Sequence, residues 1–202
     1  ENAGLYDTIQ QNCFSAVQAL AESLEARDPY TSGHSSRVTD YAVRLAKALG
    51  VSASSIETLR YAGRLHDIGK LGISEATLHR TGALSEDEWA MIKEHPAKGE
   101  RIVASLGFLD RARPIVRHHH ERWDGSGYPD GLRGEEIPFL TRMLSVADGY
   151  DAMTSQRPYR GAMSRGEALA ELAAGANHQF DPAIVEQFSE VVRSGPAIPH
   201  PD

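Results

Sequence analysis

An all-α fold, a bundle of about seven helices, is what this sequence predicts, and three observations carry that expectation. Apolar residues recur at three-to-four spacing in one segment after another. Helix-start signals stand at Ser85-x-x-Glu88, Ser164-x-x-Glu167 and Asp181-Pro182. No alternating apolar and polar run of useful length marks a strand, and no internal repeat is present. With 202 residues, 41% of them hydrophobic, the chain is large enough to bury a core without crosslinks.

Each helix follows from its own residues. Leu5, Ile9, Val17, Leu20 and Leu24 predict an amphipathic helix over 5–24, ended at Asp28-Pro29 because proline disfavours helix in the residue before it. Its stripe reads as a packing face, toward the core or a second copy. Val38, Tyr41, Ala42, Leu45 and Leu49 predict a second helix over 32–49, stopped by Gly50, with His34 in its first turn. A third, over about 53–70, carries His66 and Asp67 near its carboxyl end. A fourth, over about 86–106, holds His95 near its middle, where Pro96 kinks or breaks it. A short helix over about 110–121 carries His118, His119 and His120, and the next, over about 139–153, carries Asp148. Between these two, residues 122–138 contain six Gly and Pro in 17 positions and read as an ordered loop. The capped helices after Ser164 and Asp181 complete the bundle.

Composition narrows the function. Lys and Arg total 21 against 28 Asp and Glu, a net charge of −7, which argues against binding polymeric nucleic acid or an anionic membrane surface. No apolar stretch approaches the roughly 20 residues of a membrane span. The single cysteine, Cys13, makes no internal disulfide, and no targeting segment opens the chain, so a cytoplasmic setting is expected. The chain starts at Glu1 without methionine, which predicts a piece of a longer protein: residues 1–27 as a linking or dimerising helix, 28–194 as a catalytic domain and 195–202 as a tail.

The chemistry lies in the histidines and aspartates. Imidazole and carboxylate donors without thiolates suit iron, manganese or zinc in a catalytic rather than structural site. Neighbouring residues on a helix point about 100° apart, so His66 and Asp67 diverge and Asp67 becomes a natural bridge between two ions. His118, His119 and His120 cannot all reach one ion, and one of the three is expected outside the ligand set. A bridged pair about 3.5–4 Å apart activates water and stabilises charge on phosphate, which points to phosphodiester hydrolysis. Lys70, three residues beyond Asp67, comes within reach of a phosphate or leaving oxygen. Arg157 and Arg160 supply guanidinium groups matched to phosphate in an otherwise acidic protein.

Taken in order, His66-Asp67-Ile68-Gly69-Lys70, His119-His120-Glu121-Arg122-Trp123-Asp124-Gly125-Ser126-Gly127-Tyr128-Pro129, Ala147-Asp148-Gly149-Tyr150-Asp151-Ala152-Met153-Thr154 and Arg157-Pro158-Tyr159-Arg160 closely resemble the HD-GYP family over about residues 27–188. The resemblance implies a bacterial HD-superfamily helical phosphodiesterase that opens cyclic di-GMP to linear pGpG, and often continues to GMP, with an iron or manganese centre. It implies metal ligands at His34, His66, Asp67 (bridging), His95, His119, His120 and Asp148. Lys70, Arg157 and Arg160 match phosphate-contacting positions, and Tyr128 and Asp151 match positions near the substrate or shaping the loop. The Gly127-Tyr128-Pro129 loop reads as a docking surface for a partner such as a diguanylate cyclase. His79, His118, His178 and His200 match no ligand.

One departure stands out: three-metal members place a glutamate four residues before the first ligand histidine, where this chain has Tyr30. A phenol with pKa near 10 replaces a carboxylate poorly, so two metals are expected and cleavage beyond pGpG is in question. Three other readings keep parts of the pattern: an HD phosphohydrolase acting on another nucleotide, hydrolysis of cyclic GMP-AMP, or a module that binds cyclic di-GMP or a partner without cutting. The loop and the arginine pair weigh against the first, and the full ligand set weighs against the last.

Overall fold

A computed structural model describes residues 2–25, 32–78, 80, 82, 84–156, 161–196 and 198. Among them are ten α-helices and no strand: α1 (Asn2–Glu25), α2 (His34–Ala48), α3 (Ala53–Leu65), α4 (Glu75–Leu78), α5 (Glu86–Lys93), α6 (His95–Ala104), α7 (Arg113–His118), α8 (Phe139–Thr154), α9 (Arg165–Ala174) and α10 (Pro182–Ser194). Three 3-10 segments, Ile68–Gly72, Gly107–Ala112 and Gly134–Glu136, join them. Tyr30, Arg157, Arg160, His79, His200 and the Asp28-Pro29 stop lie outside the described residues.

The sequence pattern explains the core. Val38, Ala42 and Leu45 on α2, Leu59, Ala62 and Leu65 on α3, and Met143, Leu144 and Ala147 on α8 are all buried, so three helices present their apolar faces to one interior. α2 and α3 cross so closely that a Cβ on Gly63 would stand 2.5 Å from Thr39 Oγ1. Tyr41, Tyr150 and Phe188 pack ring against ring, with centroids 5.0–5.9 Å apart, and tie α2, α8 and α10 together. Among the described side chains of α1, Val17 and Ala21 are buried while Ile9 and Leu20 are about half exposed, so this part of the expected stripe divides between the core and solvent.

The caps act as expected. Ser85/Glu88 and Ser164/Glu167 form reciprocal capping boxes, and Asp181 accepts from the Ala183 and Ile184 amides ahead of α10. Three helices differ from expectation. The third ends at Leu65 rather than Lys70, because Gly69 must lie against the backbone of α6, and the chain there tightens into a 3-10 turn. The helix expected over 86–106 is two, broken at Glu94. His95 is then the first residue of α6, and Pro96 sits in its first turn, where a missing N–H costs nothing. The helix expected over 110–121 shrinks to α7, preceded by a 3-10 turn.

The loop over 122–138 is ordered as expected, and a buried carboxylate orders it. Glu121, 3% exposed, accepts from the Asp130, Gly131 and Leu132 amides at 2.7–3.1 Å. Arg117 grips Asp130 through Nε and Nη2 at 2.7 and 2.8 Å, and His118 Nε2 lies 2.8 Å from the same carboxylate. The chain turns back at Gly127, where a Cβ would stand 2.5 Å from Glu121 Cα. The Tyr128-Pro129 peptide is cis. No helix among the described residues is long and apolar enough to cross a membrane.

Candidate metal centre

The donors leave from helix ends. His34 and His95 open α2 and α6, while His66 and His119 stand just past α3 and α7. Asp67 and His120 follow directly on, and only Asp148 comes from a helix interior, that of α8. A helix terminus has carbonyls without intrahelical partners, and three of these histidines use them. His66 Nδ1 faces Gly63 O at 2.8 Å, His95 Nδ1 faces Ile92 O at 2.7 Å, and His119 Nδ1 faces Val116 O at 2.8 Å, each three residues back. A carbonyl only accepts, so Nδ1 carries the proton and Nε2 keeps its lone pair.

Those Nε2 atoms converge. One group comprises Asp67, His95, His119 and His120, and a second comprises His34, His66 and Asp67, with the donor atoms of each group within 4.8 Å of one another. Asp67 is common to both. Its Oδ1 lies 3.3 Å from His95 Nε2 and 3.9 Å from His119 Nε2, while Oδ2 lies 3.6 Å from His66 Nε2 and 2.6 Å from Lys70 Nζ. Asp148 adjoins the second group, with Oδ1 3.3 Å from His34 Nε2. Two observations fit a divalent metal here. The buried His66 Nε2 has no hydrogen-bond partner, and the His95 and His119 Nε2 atoms stand 3.2 Å apart, two lone pairs facing each other with no proton to share.

Charge in the site is strongly shaped. Burial alone would raise the Asp67 carboxyl, but the adjacent Lys70 ammonium holds it well below its usual range. Burial and the neighbouring His120, His66 and His95 keep His119 neutral, and burial lowers His120 to about 4. His34 behaves oppositely. Burial opposes its charge, but hydrogen bonds to Asp148 and Asp151 prevail and raise it to about 10. Burial and the charges of Asp67 and Asp148 push the Tyr128 phenol up, so it remains a hydroxyl donor.

These shifts predict a two-sided pH profile for the metal-free protein. His120 titrates lower when folded than when unfolded, so the stability it confers is full above pH 6.5 and is lost as pH falls toward about 4, and His119, also lowered, acts in the same sense. His34 titrates higher when folded, so its contribution is full below pH 6.5 and is lost as pH rises toward about 10. Melting of chelator-treated protein should therefore peak near neutrality, and a profile with only one falling limb would refute the opposed pair.

The structure brings together His34, His66, Asp67, His95, His119, His120 and Asp148. Tyr128 stands beside them, its ring centroid 5.0 Å from that of His120. Lys70 is present but pairs with Asp67, and His118 turns away to Asp130. Asp151 is fully buried, with Oδ2 2.7 Å from His34 Nδ1 and Oδ1 accepting from Arg37 Nε at 2.6 Å, so its oxygens face His34 and Arg37. Sequence reasoning missed Arg37, Glu121 and Ser145, whose hydroxyl donates to His119 O at 2.8 Å. The i, i+3 spacing of His34 and Arg37 was the available signal for the first.

The family model described as an HD domain matches residues 18–184. The chain belongs to the HD domain family. The resemblance read from its motifs is thereby borne out. Among curated relatives, a "3'3'-cGAMP-specific phosphodiesterase 3" of Vibrio cholerae is 41% identical over 82% of this chain and 36% of its own length. The "Cyclic di-GMP phosphodiesterase response regulator RpfG" of Xanthomonas campestris is 41% identical over 88% of this chain and 48% of its own. The chain thus spans about a third to a half of the relatives it matches. Among solved structures, a cyclic GMP-AMP-specific phosphodiesterase of V. cholerae superposes with a TM-score of 0.72 at 20% identity, covering 90% of this chain and 49% of that one. An HDG"Y"P protein from Bdellovibrio bacteriovorus gives 0.69 at 20% identity, covering 92% and 64%. These HD-domain neighbours share the all-helical fold.

Proposed function

We propose that the chain is a metal-dependent phosphodiesterase of the bacterial cytoplasm that opens cyclic di-GMP to linear pGpG. One observation carries the reading: the two oxygens of a single buried carboxylate, Asp67, face two separate groups of imidazole nitrogens. Two divalent ions, iron or manganese, would be held by His34, His66, Asp67 and Asp148 on one side and by Asp67, His95, His119 and His120 on the other. When bound, such a pair supplies Lewis-acid stabilisation of phosphate charge and an activated water.

The chain's own groups do the rest. Water adds to phosphorus, the bond to the ribose 3′ oxygen breaks, and that oxygen takes a proton. Lys70, partly exposed at the mouth, holds a phosphate oxygen or supplies that proton. The Tyr128 hydroxyl donates toward the substrate, and Arg157 and Arg160 bind its second phosphate. Lys93 stands 5.7 Å from both the Tyr128 and Trp89 rings and adds positive charge to the rim. The loop anchored by Glu121 offers a face to a diguanylate cyclase or other signalling partner, and the outward Ile9 and Leu20 of α1 offer one to a second copy. Curated relatives named for each dinucleotide stand at equal identity, which favours cyclic GMP-AMP as a second reading of the same site.

The test is chromatographic product analysis with both dinucleotides, using anaerobically prepared protein of known metal content. Conversion of cyclic di-GMP to pGpG with about two metal equivalents is the expected result. Faster turnover of cyclic GMP-AMP would select the second reading, and no turnover with added iron or manganese would leave only binding or docking.

A further inference from the structure

α2 begins at His34 behind Gly33, whose φ of 69° is left-handed and which offers no side chain to the helix's free amides. Another helix supplies the cap. Glu25, the last residue of α1, accepts from the Gly33 amide through Oε2 at 2.7 Å and from the Ser35 amide through Oε1 at 2.7 Å. Its charge also complements the positive end of the α2 dipole. Those two amides flank His34, the residue that points into the centre between Asp151 and Asp148. α1 is in turn seated on the core through Val17 and Ala21 and through Phe14, whose ring packs against Tyr61 at 5.8 Å.

We propose that Glu25 is the positioning residue for His34, so that the seating of α1 controls metal occupancy of the His34, His66 and Asp67 group without touching that of Asp67, His95, His119 and His120. The inference rests on the reading of His34 as a metal donor. A slide or rotation of α1 would reach the centre through one side chain, because the carboxylate moves with α1 while its two partners stand at the start of α2. The grip is bidentate and comes from a separate helix, unlike an ordinary cap, which moves with the helix it ends.

The test compares the whole chain with Glu25→Ala and Glu25→Gln, following exchange of the Gly33 and Ser35 amides, metal equivalents after equilibration with manganese, and the split between kcat and KM. In Glu25→Ala the two amides should exchange about 10-fold faster. One metal equivalent should bind about 10-fold more weakly while the other is unchanged, and kcat should fall with KM within about twofold. Glu25→Gln, which keeps one acceptor oxygen, should fall between and guards against simple misfolding of the alanine variant. Unchanged affinity for both equivalents, or equal loss of both, overturns the proposal. A wild-type chain that binds one equivalent instead overturns the reading of His34 as a donor, and the inference with it.

Discussion

Asp67→Asn should strip the centre and reduce kcat by at least about 1,000-fold, the equivalent of about 4 kcal/mol of transition-state stabilisation. Asparagine keeps the volume but replaces one carboxylate oxygen with a donor group. Whichever way the amide turns, one of the two histidine groups faces an N–H where it needs a lone pair, and the negative charge that offsets two cations is gone. Removing a group that only orients a ligand typically costs 10- to 100-fold in metal affinity. A residue shared by both donor groups should cost more, because both sites lose it together. Lys70 would at the same time lose the negative charge of its 2.6 Å partner. Elemental analysis and single-turnover kinetics check this. A variant that retains two metal equivalents and turns over within tenfold of wild type would show that Asp67 does not bridge.

Gly69→Ala should be nearly as damaging, although a methyl group is all it adds. The new Cβ would overlap the His95 carbonyl oxygen and lie 2.6 Å from Gly99 N, both of them rigid backbone of α6. The 3-10 turn and α6 must then separate. Overpacking of this kind costs about 1–3 kcal/mol, and more where backbone meets backbone. The same separation pulls Asp67 from His95, now 3.3 Å apart, so a drop in melting temperature should accompany loss of metal affinity. The nearby Gly72→Ala is the control, since its Cβ would meet only the flexible end of Lys98, 3.2 Å away. Equal behaviour of the two variants would refute the close-approach account.

Much of this was legible in residue order. Ser85, Ser164 and Asp181 announce their helices because a cap is a local hydrogen bond, decided within four residues. The donor residues could be picked out because His66-Asp67, His119-His120 and Asp148 stand in motifs that resemble the HD-GYP family. What could not be read depended on contacts between distant segments. The early end of α3 follows from how closely Gly69 approaches α6. The role of Asp151 follows from Arg37 and His34, each more than 110 positions away, closing over it. Glu121 sits within a motif full of more conspicuous side chains, and its task shows only when the loop has folded back onto it.

That His34, His66, His95 and His119 all project from points where helices start or stop also bears on how this protein can change. A residue on a helix face swings by about 100° for every position inserted before it. One at a terminus holds its aim while turns at the far end are added, lost or repacked. Turns at the far ends of α2, α3 and α6 can therefore be gained or lost, and the cluster at their near ends keeps its shape.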